Sequence, residues 1–404
     1  MIDMMVIGGG YVGLSLAVAV KQAAPHLNVV IIEAAPEDAW KKDGRASAII
    51  AAASQLLGVL GVWDKILPEA EPITRMVVTD SRTSDPVRPV FLTFDGNVAD
   101  GQPFAHMVPN LTMVGALREA CATLGVSIRH GLSPTGFVSG DSDITVTLSD
   151  GTTTLARLLV ACDGVKSNTR DMAGIKTVTW DYGQSGIVTT VEHERPHHGC
   201  AEEHFLPAGP FAILPLKNNR SSLVWTERSA DADRLVASDD LVFEEELERR
   251  FGHKLGALKV VGGRRAFPLG LTLARDFIAP RVALAGDAAH GIHPISGQGL
   301  NLGFKDVAAL AETIVDADRL GLDIGSLNIL ERYQSWRRFD TFRMGVTTDV
   351  LNRLFSNDIG PLRMARDLGL GLVERLPKLK SYFIGEAAGL GVKTNPRLLA
   401  GEEL

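Results

Sequence analysis

Cysteine is scarce in this chain. Cys121, Cys162 and Cys200 are the three among 404 residues, an odd count at long spacings. That leaves no disulfide framework and no CxxC metal site, and it points to a reducing compartment. Basic charge is not in excess either. The net charge is −7, with 22% charged residues, so a nucleic-acid partner is not expected. Long hydrophobic runs are missing. The apolar start from Met4 to Ala19 is broken by Gly8, Gly9, Gly10 and Gly13. No other stretch approaches the roughly 18 uncharged apolar residues that a membrane span needs. No charged segment followed by an apolar core and a cleavage site opens the chain. The expectation is a cytoplasmic protein, with peripheral contact to the inner membrane left open.

Catalytic constellations are also missing. There is no catalytic triad, no paired-carboxylate pattern and no metal-ligand spacing. The one dense group is His193, His197, His198, Cys200 and His204, which reads as a metal site or as a loop leading into a strand around Phe205. No catalytic side chain and no metal ligand is assigned.

What is present is ordinary globular material, 45% hydrophobic, long enough for two domains or one large discontinuous one. Met4–Ile7 predicts a buried strand, 11–23 a helix and Asn28–Glu33 a second buried strand, a parallel βαβ unit. Met76–Asp80 and Val90–Phe94 read as strands of a different sheet. Helical periodicity returns over 111–124. Strands follow at 127–129, 136–138, 144–148 and 157–161. From about 173 to 275 alternating strands dominate (186–191, 211–216 and 221–227), with one helix near 239–251. After Val282 the α/β pattern resumes, and from about 327 the chain is mostly helical.

Two segments carry the chemistry. Gly8-Gly9-Gly10-Tyr11-Val12-Gly13 fits GxGxxG between a strand and a helix. Gly8 allows the tight turn, Gly10 lets backbone approach a pyrophosphate, and Gly13 permits close helix–strand packing. Glu33 ends the second strand, twenty residues past Gly13, where an acid accepts hydrogen bonds from ribose hydroxyls. Position does not choose FAD over NAD. Arg45 either reaches a phosphate or forms an exposed salt bridge. The second segment is 282–310, VALAGDAAHGIHPISGQGLNLGFKDVAAL. An apolar strand ends on Gly286-Asp287, a Pro/Gly-rich loop runs from Pro294 to Gly299, and a helix starts near Leu300. That order suits an electron-rich ligand held by backbone amides.

With these segments, Asp163-Gly164 within LVACDGVKSNTR (159–170) resembles the DG motif of group A flavoprotein monooxygenases, the aromatic hydroxylases related to para-hydroxybenzoate hydroxylase. Gly286-Asp287 resembles their GD motif. The run His293 to Gly303 with Asp306, the segment 209–216, Ser222 to Trp225, Thr348-Asp349 and 354–358 are similar to the UbiH-type ubiquinone-biosynthesis hydroxylases. The resemblance covers essentially the whole chain.

It implies an α/β fold: a discontinuous Rossmann-type FAD-binding domain (1–72, 109–172 and 276–326), an inserted mixed β-sheet substrate domain (73–108 and 173–275) and a helical C-terminal region (327–404). It implies FAD as cofactor, held by Gly8, Gly10 and Gly13 at the pyrophosphate and Glu33 at the adenosine ribose. Arg45 would contact the FAD on its phosphate or ribose side, and Asn110, standing where many relatives carry Arg or Gln, would contact the FAD as well. Asp163 would lie near the pyrophosphate, Gly286 and Asp287 at the ribityl chain, and Pro294, Gly297, Gly299, Leu300 and Asn301 around the isoalloxazine ring. The implied reaction uses NAD(P)H and O₂ through a flavin hydroperoxide to hydroxylate the ring of a polyprenylated phenol in ubiquinone biosynthesis. Two alternatives stand beside it: hydroxylation of a soluble aromatic compound, and a non-catalytic flavin-binding subunit of a biosynthetic complex. The strands at 211–216 and Trp225 are expected to cover the flavin face or to be plain core. His290 and His293 are expected as structural hydrogen-bonding partners rather than general bases. The 350–380 stretch has six basic and three acidic residues and a helical leucine repeat. It predicts contact with anionic lipid, with other quinone-biosynthesis proteins, or with the protein's own body.

Overall fold

Strand Ile2–Ile7 is buried along almost its whole length, so both its faces need cover. It lies inside an eight-stranded sheet, parallel to Thr153–Ala161 on one side and Val29–Glu33 on the other. Val282–Leu284 and Ser127–His130 extend the parallel set outward. The structure, a computed structural model, describes residues 1–82, 90–95, 102–356, 389 and 395–404. Helix Tyr11–Ala23 makes the first crossover and is buried from Val12 to Val20. It packs against helices Asn110–Thr123 and Gln298–Arg319. The carboxyl ends of four parallel strands, at Ile7, Glu33, Ala161 and Leu284, therefore share one edge. In open α/β sheets that edge is where ligands bind.

A second sheet has nine strands and is mostly antiparallel. Its centre is the long strand Thr177–His193, irregular between Asp181 and Gln184. Arg75–Asp80 and Val90–Asp95 join its far side, separate from the first sheet as their pattern predicted. Two helices cover one face, Ser229–Ala237 and Asp240–Phe251. The sequence reading anticipates only the second. Ser229–Ala237 buries only Ala232 and Leu235, too thin an apolar stripe to announce itself. A three-stranded sheet of Ala46–Ile50, Ala105–Pro109 and Glu71–Ile73 completes the strands.

The helix expected near Leu300 begins two residues earlier, at Gln298, after Gly297 in the left-handed region (φ 62°). Helix Leu327–Phe355 follows. Among the described residues, no helix is long and apolar enough to cross a membrane. The 350–380 stretch lies outside the described residues beyond Ser356.

Candidate cofactor and substrate site

The glycine turn is dictated by contact. A Cβ on Gly8 would sit 2.3 Å from the Cys162 carbonyl oxygen, at a φ of 108°. One on Gly13 would sit 2.1 Å from the Gly8 carbonyl oxygen. Gly10 is different, since among the described residues nothing lies within 4 Å of its Cβ position. It caps helix Tyr11–Ala23 with no side chain on the first-turn amides. Free N–H groups and the positive helix end therefore face open space, a site built for an anion. Glu33 stands beside them, accepting from the Gly9 N–H at 2.6 Å and the Ala35 N–H at 2.7 Å. A cavity of about 470 Å³ is lined here by Gly10, Glu33, Arg45, Arg118, Gly164 and Asp287.

A larger cavity of about 950 Å³ lies between the nine-stranded sheet, the three-stranded sheet and the 291–300 loop. It shares Tyr11, Asp287, Gly299 and Leu300 with the first, so the two meet at the N-terminus of helix Gln298–Arg319. Asp287 is exposed where the two cavities meet, with protein packed closely around it. Burial pushes its carboxyl above the ordinary value, against the pull of His290 and Arg45. Burial, aided by Asp287, likewise pushes the Tyr11 phenol up to about 12.

The loop between these cavities hangs on one fully buried carboxylate, Asp306. One of its oxygens accepts from the Gly286 N–H at 2.9 Å and from His290 Nε2 at 2.5 Å. The other accepts from Arg337 Nε at 2.7 Å. Burial opposes its charge, but His290 and Arg337 outweigh burial and hold the carboxyl below its usual value. His290 thus does bond structurally. His293 bonds the Ile295 N–H through Nδ1 at 3.2 Å, and burial pushes its pKa down to about 4. Its ring meets Tyr182 edge-on at 5.4 Å, and Tyr182 donates to Asp349 at 2.9 Å.

The structure gathers most of the predicted residues around the two cavities. Gly10, Glu33, Arg45 and Asp287 line the smaller; Asp287, Pro294, Gly297, Gly299 and Leu300 line the larger. Gly286 lies behind them at φ 63°, its Cβ position 3.0 Å from Val12. Arg45 does form the salt bridge, 2.8 Å from Asp43, while its guanidinium lies 5.5 Å from the Phe267 ring centre at the cavity edge. Gly8, Gly13 and Gly286 line neither cavity, and nor do three polar residues of the predicted set. Asp163 accepts from Ser167 Oγ at 2.5 Å and from Thr169 N and Oγ1 at 3.1 and 2.9 Å, shaping the turn that leaves Gly164 at the cavity. Asn110 accepts from Ser47 Oγ at 2.7 Å and donates to Asp43 at 3.2 Å. Asn301 donates to the Ala48 and Gly297 carbonyls at 2.9 and 3.0 Å.

Of the two readings of Phe211 and Trp225, cover for the cavity or plain core, strand alternation selects core. Both side chains point away from the cavity and pack with Phe243 under the helices. Their neighbours Pro210, Ala212, Leu214, Val224 and Thr226 line the cavity instead. Glu203 on strand Cys200–Leu206 also lines it, and was missed. The histidines around it have protein partners: His193 with the Arg195 carbonyl at 2.7 Å, His197 with the Leu216 carbonyl at 2.7 Å and His204 with Thr79 Oγ1 at 2.8 Å. Among the described residues no group of three or more His, Cys, Asp or Glu is placed to hold a metal.

Comparison with known proteins adds lineage to this geometry. The family model described as FAD binding domain matches residues 1–338. The chain is 46% identical to the ubiquinone hydroxylase UbiL of Rhodospirillum rubrum, over 100% of this chain and 93% of that protein. It is 35% identical to the 3-demethoxyubiquinol 3-hydroxylase of Escherichia coli, over 96% of this chain and 98% of that one. Among solved structures, p-nitrophenol 4-monooxygenase PnpA from Pseudomonas putida superposes with a TM-score of 0.80 at 20% identity, covering 98% of this chain and 99% of that one. That last likeness speaks for the fold alone.

Proposed function

The chain belongs to the UbiH-type ubiquinone hydroxylases, FAD-dependent aromatic monooxygenases, and from that premise we propose that it hydroxylates the ring of a polyprenylated phenol in ubiquinone biosynthesis. The observation that carries this reading is the meeting of the two cavities at Tyr11, Asp287, Gly299 and Leu300. The smaller suits an ADP moiety, the junction a flavin ring, and the larger an aromatic substrate with an apolar tail. The residues fit FAD. A glycine with open space at its Cβ position heads an uncapped helix, and an acid ends the second strand.

In this reading Gly8, Gly10 and Gly13 shape the pyrophosphate site, and Glu33 takes the ribose hydroxyls. Arg45 serves the phosphates. Gly286 and Asp287 take the ribityl chain, with Asp287 accepting from its hydroxyls. Pro294, Gly297, Gly299 and Leu300 flank the ring. Asp163, Asn110 and Asn301 hold that frame from behind. The redox chemistry, with electrons from NAD(P)H and activation of O₂, is the cofactor's. The protein's part is to orient the phenol and exclude water. The walls suit a prenylated ring, with Ile50, Ile73, Met76, Phe104, Ala201 and Leu214 along the larger cavity. The division into a discontinuous FAD-binding domain, an inserted substrate domain and a C-terminal region belongs to the same reading.

The test is turnover. The purified, FAD-loaded protein is mixed anaerobically with NADPH or NADH, with and without a prenylated phenol, and then given O₂. Reduction followed by a ring hydroxylated in proportion to NAD(P)H consumed is expected. No reduction under any condition overturns the proposal. A soluble-aromatic hydroxylase would act on a small phenol and leave the prenylated one untouched. Contact of the 350–380 stretch with membrane or with partner proteins is part of the proposal too, supported by its local charge of +3 against −7 overall. Liposome co-sedimentation of the full chain and a tail-deleted chain checks the membrane contact, and equal, negligible binding by both removes that part.

A further inference from the structure

We propose that Glu203 is the group that receives the proton of the substrate's ring hydroxyl, a catalytic residue for the hydroxylation above and dependent on that reading. Strand Cys200–Leu206 alternates. Glu202 and His204 face the outer side, 3.4 Å apart, and Glu202 also meets Lys254. Ala201, Glu203 and Phe205 face inward, where the pattern calls for apolar residues. Phe205 packs with Ile295 of the 294–300 loop and stacks on Phe355 at 4.2 Å. Glu203, one inward step along the strand, lines the larger cavity opposite that loop.

It is only 5% exposed, and its ladder neighbours, Ala212 and Val78, are apolar. Among the described residues its carboxyl has no hydrogen-bond donor and no cation as partner. The other charged groups lining this cavity are Lys166, Arg170, Asp171, Asp181 and Asp287. Asp80 lies on the neighbouring strand, in register with Phe205. A carboxyl buried without a partner is costly. Burial alone pushes it up to about 7. A base poised there is half charged near neutrality, where proton transfer is most effective. A phenolic hydroxyl entering the cavity supplies the missing donor.

The step balances simply. The substrate O–H bond breaks, its proton bonds to a Glu203 carboxylate oxygen, and the electron pair stays on the ring oxygen. No electron passes to the protein. The ring becomes more electron-rich at its ortho and para carbons. When aromaticity is restored, Glu203 returns the proton to that oxygen.

The experiment measures kcat and KM against pH for the FAD-loaded wild type, E203Q and E203D with a prenylated phenol, and for the wild type with the phenol's methyl ether. FAD content and melting temperature check folding. Wild type is expected to show an acid limb near pH 7, as the base protonates. E203Q is expected to lose kcat about 100-fold or more and the limb with it. E203D is expected to recover part of the rate with a limb, and to carry the test should E203Q not fold. The methyl ether, with no proton to give, is expected to react about as slowly as the phenol does in E203Q. Wild-type kcat and limb in E203Q overturn the inference, as does a slower E203Q that keeps the same limb. A wild type that hydroxylates no phenol fails the parent proposal, and does so before any variant is made.

Discussion

Asp306→Ala is expected to be among the most damaging single changes near the cavities. The side chain is 0% exposed and serves three partners: the Gly286 N–H, His290 and Arg337. Truncation leaves Arg337 buried with less than its full counter-charge, and breaking such a pair costs about 3–5 kcal/mol. An unsatisfied Gly286 N–H costs about 1–3 kcal/mol more on its own. The terms overlap, and Asp340 still holds Arg337 at 2.9 Å, so about 4 kcal/mol is the expected total. The Gly286-Asp287 turn loses its tether, so FAD affinity falls as well. Urea unfolding followed by tryptophan fluorescence gives the first quantity, and titration of apoprotein with FAD gives the second. Asp306→Asn keeps the volume but not the charge, and is expected to fall between. The carboxyl is held below its usual value against burial, by His290 and Arg337. Its stabilisation is therefore present above the unfolded carboxylate value and lost as pH falls through the lowered one. A cost for Asp306→Ala below about 1 kcal/mol at neutral pH would refute the claim that this carboxylate organises the loop.

Other outcomes follow from the same geometry. Gly13→Ala puts a Cβ 2.1 Å from the Gly8 carbonyl, and is expected to abolish FAD retention on gel filtration while destabilising the fold. Trp225→Ala is expected to cost about 3–5 kcal/mol in urea unfolding with little change in substrate KM, because the ring sits in the core and not in the cavity. Ala212→Phe is expected to do the reverse, raising KM for a prenylated phenol at least tenfold in steady-state assays while the protein still binds FAD. Glu203→Gln is expected to flatten the pH dependence of stability. The folded group keeps its proton up to about 7 and the unfolded one only to about 4.5. Wild-type stability therefore falls by about 3 kcal/mol between those values, and scanning calorimetry at both ends reads the difference.

Much of this was legible in the sequence, for a physical reason. A tight turn, a close helix–strand approach and an amide-lined opening each demand glycine at a fixed offset, so Gly8, Gly10 and Gly13 announce their roles locally. Gly286 and Gly297, both at positive φ, meet the same kind of backbone demand. What was not legible depends on phase and on distant contacts. In a strand buried on both faces, residue type does not say which face meets a ligand. The largest apolar side chains, Phe211 and Trp225, went to the helix-covered core, and the smaller ones between them line the cavity. Asp163, Asn110 and Asn301, expected at the cofactor, line neither cavity and bond to protein groups. Their amides and carboxylates are spent on partners up to 253 residues away. Asp306 and Arg337 meet across two helices, 31 residues apart. Glu203 sits in an otherwise ordinary strand, and only its register shows that it faces a cavity.

The most direct test of the central claim traces the oxygen atom. The FAD-loaded protein is supplied with NADPH, ¹⁸O₂ and a prenylated phenol, and the product is analysed by mass spectrometry. One ¹⁸O in a new ring hydroxyl, formed in step with NADPH oxidation, is the predicted result. NADPH consumed with only hydrogen peroxide formed, the ring unchanged for every phenol offered, would contradict the account.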